Sequence, residues 1–179
     1  MPEDPNTPRR PDWPRAVHRL FREHEVREVA YVPDAGHAQL IALCRADRRM
    51  TAVPLTTEEE GVALLAGAWL GGARGALLMQ SSGAGNCINM LGMTQECRFP
   101  LLALVTMRGD WGEFNPWQIP MGQATARALD AAGVVVQPVD DAQRVPETVA
   151  AAARLAFGAY RAVAVLIGQR VVGAKDWNK

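Results

Sequence analysis

Residues Ala76–Thr106 read ALLMQSSGAGNCINMLGMTQECRFPLLALVT, and this stretch decides the fold. The apolar run Ala76–Gln80 stops at Ser81-Ser82-Gly83-Ala84-Gly85, small residues with the freedom to form a tight turn. A helix is predicted over Asn86–Gln95. Leu101–Thr106 is short, apolar up to its last residue and set off by Pro100, the pattern of a strand buried on both faces of a parallel sheet. Strand, turn, helix and strand make one crossover unit of about 30 residues.

The same alternation extends in both directions. Upstream, Asp12 is placed to cap a helix running to about Glu25. A strand over Glu28–Val32 leads into the loop Pro33-Asp34-Ala35-Gly36-His37, and a helix follows to about Ala46. A short strand is predicted at Met50–Val53 and a longer helix at Glu58–Gly71. Downstream come a loop at Met107–Pro120, a helix near Gly122–Ala132, a strand at Val134–Gln137, a helix at Pro146–Gly158 and a strand at Ala162–Ile167. This predicts the α/β class: a three-layer α/β/α sandwich around a mostly parallel sheet of about six strands. One domain is expected over residues 12–170, between a disordered arm at 1–11 and a tail at 171–179. Ligands of such sheets gather at the carboxyl ends of the strands, here the loops Pro33–His37, Ser81–Gly85 and Arg108–Pro120.

Bulk composition narrows the function classes. The 179 residues carry a formal net charge of +0, so no basic field attracts nucleic acid. The opening MPEDPNTPRRPDWP has no apolar core of a secretory signal, and the apolar stretch Val149–Gly168 is broken by Arg154 and Arg161. A cytoplasmic protein without membrane contact is expected. Cys44, Cys87 and Cys97 fit neither a zinc pattern nor a disulfide framework, and are read as buried thiols.

Several residues are candidates for chemistry. Thr57-Glu58-Glu59-Glu60 has capping-box spacing, with Thr57 as N-cap and Glu60 reaching back, and on spacing alone it is structural. A functional role needs one carboxylate aimed into a cleft; Glu58, at the helix start, is best placed. Gln80–Asn86 lacks the third glycine of a dinucleotide fingerprint and the lysine of a P-loop. It reads better as a turn that lets another group come close. His37 lies in a loop at a strand end, whereas His18 and His24 are expected to face solvent. Trp111, Phe114 and Trp117 cluster in the long loop, which suits either a closing lid or an interface.

Taken together these segments resemble the pyrimidine-binding domain of thiamine-diphosphate-dependent decarboxylases. The carriers are Glu58, followed nine residues later by Gly67 on a small-residue helix; the turn Gln80–Asn86; Val32-Pro33-Asp34; and Arg108-Gly109 followed by Trp117-Gln118-Ile119-Pro120-Met121-Gly122-Gln123-Ala124-Thr125. The order of these segments is similar to the alpha subunit of sulfopyruvate decarboxylase and, more loosely, to phosphonopyruvate decarboxylase, over about Val26 to Ile167. The resemblance implies that Glu58 is the catalytic residue, hydrogen-bonding the cofactor's pyrimidine N1′ so that its 4′-nitrogen acts as a base. It further implies cofactor contacts at Pro33, Asp34, Ser81, Ser82, Gly83 and Asn86, and substrate contacts at His37, Arg108 and Gln118, with no metal held by this chain.

Two departures bear on the substrate. Ile119 stands where phosphonopyruvate decarboxylases carry a histidine, which favours the sulfopyruvate-like branch. Ala35-Gly36-His37 after Asp34 fits neither enzyme, so the small 2-oxo acid taken here is expected to differ. Gly109-Asp110-Trp111 does not match the Gly-Asp-Gly segment with which the family binds Mg2+ and diphosphate. A separate beta-type subunit holding that Mg2+ is therefore implied, in a hetero-oligomer with a dimeric core. A non-catalytic domain of this type acting in assembly or regulation, and a flavodoxin-like nucleotide-binding module, are the alternatives.

Overall fold

The structure is a computed structural model and describes residues 12–174. The predicted arm at 1–11 and residues 175–179 of the predicted tail lie outside the described residues.

Six strands form one parallel sheet in the order β2-β1-β3-β4-β6-β5: β1 Val26–Tyr31, β2 Thr51–Pro54, β3 Arg74–Gln80, β4 Leu101–Thr106, β5 Val135–Val139 and β6 Ala162–Ile167. Successive side chains of a strand point to opposite faces. Ala76 and Leu78 of β3, with Leu102 and Leu104 of β4, join one apolar cluster, while Leu77 and Met79, with Leu101, Ala103 and Val105, join the other. That is why these strands read as unbroken apolar runs. Pro138 is tolerated because β5 is an edge strand.

Helices α1 (Trp13–Glu23), α2 (Ala38–Ala46) and α7 (Val145–Ala159) cover the first face, through Val17, Phe21, Leu40, Val149 and Ala156 among others. Helices α3 (Glu58–Leu70), α5 (Ile88–Glu96) and α6 (Ile119–Ala131) cover the second, through Val62, Leu65, Leu91 and Leu129. The α/β/α sandwich is therefore as expected. The connection leaving β1 runs to α2 on one face, and that leaving β3 runs to the other. Where neighbouring strands part in this way, their carboxyl ends leave a crevice.

Some local expectations are corrected. Ser81–Ala84 is not a turn but a short helix, α4, which passes through a 3-10 turn at Gly85–Cys87 into α5. The last helix, α8 (Gln169–Val172), was not anticipated. The capping box at Thr57 is half made. Thr57 is the N-cap residue but makes no side-chain cap bond, while Glu60 reaches past it to accept from the Thr56 N–H at 2.9 Å. Cys44 and Cys87 are buried, but Cys97 is exposed. His18 is only 14% exposed at its side chain, with Nε2 3.1 Å from Asp47. No helix among the described residues is long and apolar enough to cross a membrane.

Candidate active site

Three adjacent glutamates open α3, and the fold treats them differently. Glu59 and Glu60 are exposed, whereas Glu58 is buried. Its carboxylate lies against Gly83 of α4, where any side chain would overlap it. Asn86 Nδ2 donates to Glu58 Oε2 at 2.8 Å. No cation pairs with Glu58 among the described residues. The carboxylate also sits at a helix N-terminus, whose partial positive charge suits it. Of the small residues on α3, Gly61 and Ala66 pack into the chain's own core; a methyl at Gly61 would come within 2.5 Å of Leu77 and 2.9 Å of Leu55. Ala63, Gly67 and Leu70 are left as an exposed stripe.

On the other side of Gln80, the carboxyl ends of β1, β3 and β4 enclose a cavity of about 540 Å³, lined by Asp34, Gln80, Thr106, Arg108, Trp111 and Arg170 among others. Asp34 is fixed from several sides. Gln80 Nε2 donates to Oδ1 at 3.1 Å, the Thr106 hydroxyl donates to Oδ2, and His37 Nδ1 lies 3.3 Å from Oδ2, out of line for a hydrogen bond. Burial alone would raise the Asp34 carboxyl, but His37 and Thr106 together hold it well below the usual carboxylate range. His37 itself is fully buried, its ring edge-on to Trp13 with centroids 6.4 Å apart. It is not part of the cavity wall and reaches the cavity only through Asp34. Pro33 and Ser82 are exposed beside this region, and Ser82 Oγ donates to Gln80 Oε1 at 3.0 Å. A second hollow, of about 590 Å³, lies beside Gly133–Val136 at the start of β5, away from these strand ends.

Arg108 is engaged before any ligand arrives. Its Nε and Nη2 donate to the two carboxylate oxygens of Glu113 at 2.5 and 2.6 Å, and Glu113 is 2% exposed at its side chain. The guanidinium pulls the Glu113 carboxyl down to about 2. Gln169, fully buried at the start of α8, joins this pair. Its Nε2 donates to Glu113 at 2.9 Å, and its Oε1 accepts from the Gly109 and Trp111 N–H groups at 3.1 and 3.3 Å. Ser81 ties β3 to the same loop, its hydroxyl bonded to both the backbone N–H and the carbonyl of Arg108.

The Arg-Gly and Met-Gly segments also meet in space. Gly109 has φ +82° and presses on the Gln118 carbonyl, and a side chain at Gly122 would strike the Arg108 carbonyl. Gln118 lies in a 3-10 turn with its Oε1 buried and without a partner among the described residues. Trp117 is 88% exposed and Trp111 46%.

Glu58, Gly83 and Asn86 are thus brought together, as are Asp34 and Arg108. Pro33 and Ser82 flank them, Ser81 acts inside the scaffold, and Gln118, in the loop with its side-chain oxygen buried, is not among the residues lining the cavity. Sequence reading missed Thr106, Glu113, Gln169 and Arg170. Thr106 carried a signal as the one polar residue, at the end of an otherwise apolar strand. The other three carried none, because their partners are remote or their helix is too short to show a period.

No family model matches the chain. It is 39% identical over 116 residues to the sulfopyruvate decarboxylase subunit alpha of Methanococcus maripaludis, covering 64% of this chain and 70% of that one. It is 31% identical over 157 residues to the same subunit of Methanothermobacter thermautotrophicus, covering 87% and 95%. Phosphonopyruvate decarboxylase of Streptomyces viridochromogenes is 33% identical over 158 residues, 86% of this chain but 40% of that longer one. Among solved structures, 2-oxoglutarate:ferredoxin oxidoreductase from Magnetococcus marinus superposes with a TM-score of 0.73 at 17% identity, over 89% of this chain and 29% of that one. That likeness establishes the fold.

Proposed function

The chain belongs to the family of sulfopyruvate decarboxylase alpha subunits, carboxy-lyase subunits that depend on thiamine diphosphate, and from that premise we propose that Glu58 is its cofactor-activating residue. The observation that carries this reading is the setting of the Glu58 carboxylate. It is buried against Gly83, oriented by Asn86 and free of any cation among the described residues. Asn86 binds Oε2, and Oε1, packed against Gly83, keeps lone-pair capacity to accept from a pyrimidine N–H, so this carboxylate fits the cofactor's ring. Glu59 and Glu60 are turned to solvent, which supports the same register.

Thiamine diphosphate, when bound, supplies the electron sink that 2-oxo acid decarboxylation requires. This chain's part is to hold a proton acceptor at the ring and to shape the substrate pocket. We assign the cavity at Asp34 to a small 2-oxo acid, with Arg108 on its wall and Gln118 set back from it in the loop. His37 acts through Asp34, and Ser81 through the Arg108 backbone. Pro33, Ser82, Gly83 and Asn86 border the cofactor. Mg2+ and the diphosphate belong to a separate beta-type subunit, a reading supported by the subunit naming of the relatives. The exposed stripe Ala63, Gly67 and Leu70 continues the face of α3 that opens with Glu59, and it suits close packing at a subunit interface and a dimeric core.

Calorimetry tests the division of labour. The chain alone is expected to bind thiamine diphosphate weakly with or without Mg2+, and the complex with a beta-type partner to bind it tightly. Tight, Mg2+-dependent binding by the isolated chain contradicts the split site.

A further inference from the structure

We propose that Arg170 recognises a second acidic group on the substrate, a sulfonate or phosphonate tail, and so sets substrate choice. This rests on the assignment of the Asp34 cavity to a 2-oxo acid. Three charged side chains line that cavity, Asp34, Arg108 and Arg170, with Glu113 behind Arg108 and Asp110 accepting from the Gln169 N–H beside Arg170. Asp34 has its oxygens turned onto Gln80, Thr106 and His37 and is 5% exposed at its side chain. Arg108 is neutralised by Glu113 through Nε and Nη2, leaving Nη1 as a donor with little net field behind it. Arg170 is exposed and has no acidic partner among the described residues.

Arg170 is also positioned. Its guanidinium carbon lies 4.8 Å from the centre of the Trp111 ring. Stacking uses the face of the guanidinium and leaves its N–H edges for an anion. The Trp111 backbone is itself held, because its amide N–H donates to Gln169, the buried residue immediately before Arg170. Platform and cation therefore share one anchor at the start of α8. A planar fork of donors beside a neutralised Arg108 suits a multi-oxygen acid group better than an uncharged tail. The cavity, at about 540 Å³, has room for a tail beyond a three-carbon acid.

The test compares Arg170→Ala, Arg170→Lys and Trp111→Phe with wild type in the two-chain complex, using sulfopyruvate, phosphonopyruvate and 2-oxobutanoate. Loss of a charge-assisted contact is expected to cut the kcat/KM preference for the tailed acids over 2-oxobutanoate on the order of ten- to a hundredfold, mainly through KM. Arg170→Lys should restore part of it. An unchanged preference in Arg170→Ala, whether or not absolute rates fall, overturns the assignment. If the wild-type complex turns over none of the three acids, the decarboxylase reading fails separately. Arg170 is then judged by titrating sulfoacetate into the full chain. A binding heat lost in Arg170→Ala upholds the anion site, and a heat equal to wild type, or none in wild type, overturns it.

Discussion

Gly83 and Glu58 compete for one space, so the glycine is as much a part of the site as the acid. A methyl at Gly83 would overlap the Glu58 carboxylate. Gly83→Ala is therefore predicted to lower two-chain decarboxylation at least about tenfold and stability by about 1–3 kcal/mol, read from CO2 release and urea unfolding. Near-normal turnover would mean that Glu58 need not lie where it does. The thiols give a simpler check. Burial pushes Cys44 and Cys87 up to about 12, while Cys97 is exposed. A thiol reagent at pH 8 should modify one cysteine per chain quickly and the other two only on unfolding. Acid stability follows from Glu113, whose carboxyl falls from 4.5 to about 2 beside Arg108. A depressed carboxylate contributes stability that is complete above the unfolded value and lost as pH falls through the folded one. Unfolding free energy should thus be flat near neutrality and decline between about pH 4.5 and 2, less steeply in Glu113→Gln. At this scale the sequence singled out Glu58 over its two neighbours by position in the first turn. It did not disclose that Glu60 would bond Thr56 rather than complete a box with Thr57, since spacing allows either.

At the scale of elements, the alternation of strands and helices was legible because each strand end is marked by small residues or proline. One element departs from its reading, for a physical reason. Ser81–Gly85 was taken as a turn on its glycines, yet neither Gly83 nor Gly85 has positive φ. Gly83 is needed for the Glu58 approach, and Gly85 lies 3.2 Å from the Met121 sulfur measured from its missing Cβ. The backbone is free to be helical there, and it is. The loop over Met107–Pro120 is legible as a loop, and its aromatics and glycines suit a lid or an interface, but what holds it is not legible. Its ties to Gln169 span 56–60 positions in sequence, which no local pattern reveals. This network predicts slow hydrogen exchange at the Gly109 and Trp111 amides in wild type. In Gln169→Ala exchange there should be faster by at least about tenfold, one hydrogen-bonded network lost. Equal exchange in the two proteins would show that the loop is held by something else.

At the scale of the molecule, apolar runs and helix periods foretold a parallel sheet between two helical layers but not the strand order β2-β1-β3-β4-β6-β5. That order follows from which face each crossover takes, a choice made by packing between distant helices. It also explains why the cavity opens at β1, β3 and β4 rather than at every strand end. The cavity and Glu58 flank a single connection, Gln80–Asn86, so one stretch of backbone relates the proposed proton acceptor to the proposed substrate pocket. On the proposed reading, Glu58 activates the cofactor from this chain while a partner holds its diphosphate. The most direct measurement is the steady-state rate of CO2 release from a 2-oxo acid by the assembled two-chain complex carrying Glu58→Gln, beside complexes carrying Glu59→Gln and wild type. The account predicts a fall of about 10²–10⁴-fold for Glu58→Gln, an intact complex, and near-wild-type turnover for Glu59→Gln. Near-normal turnover by Glu58→Gln in an intact complex would contradict it.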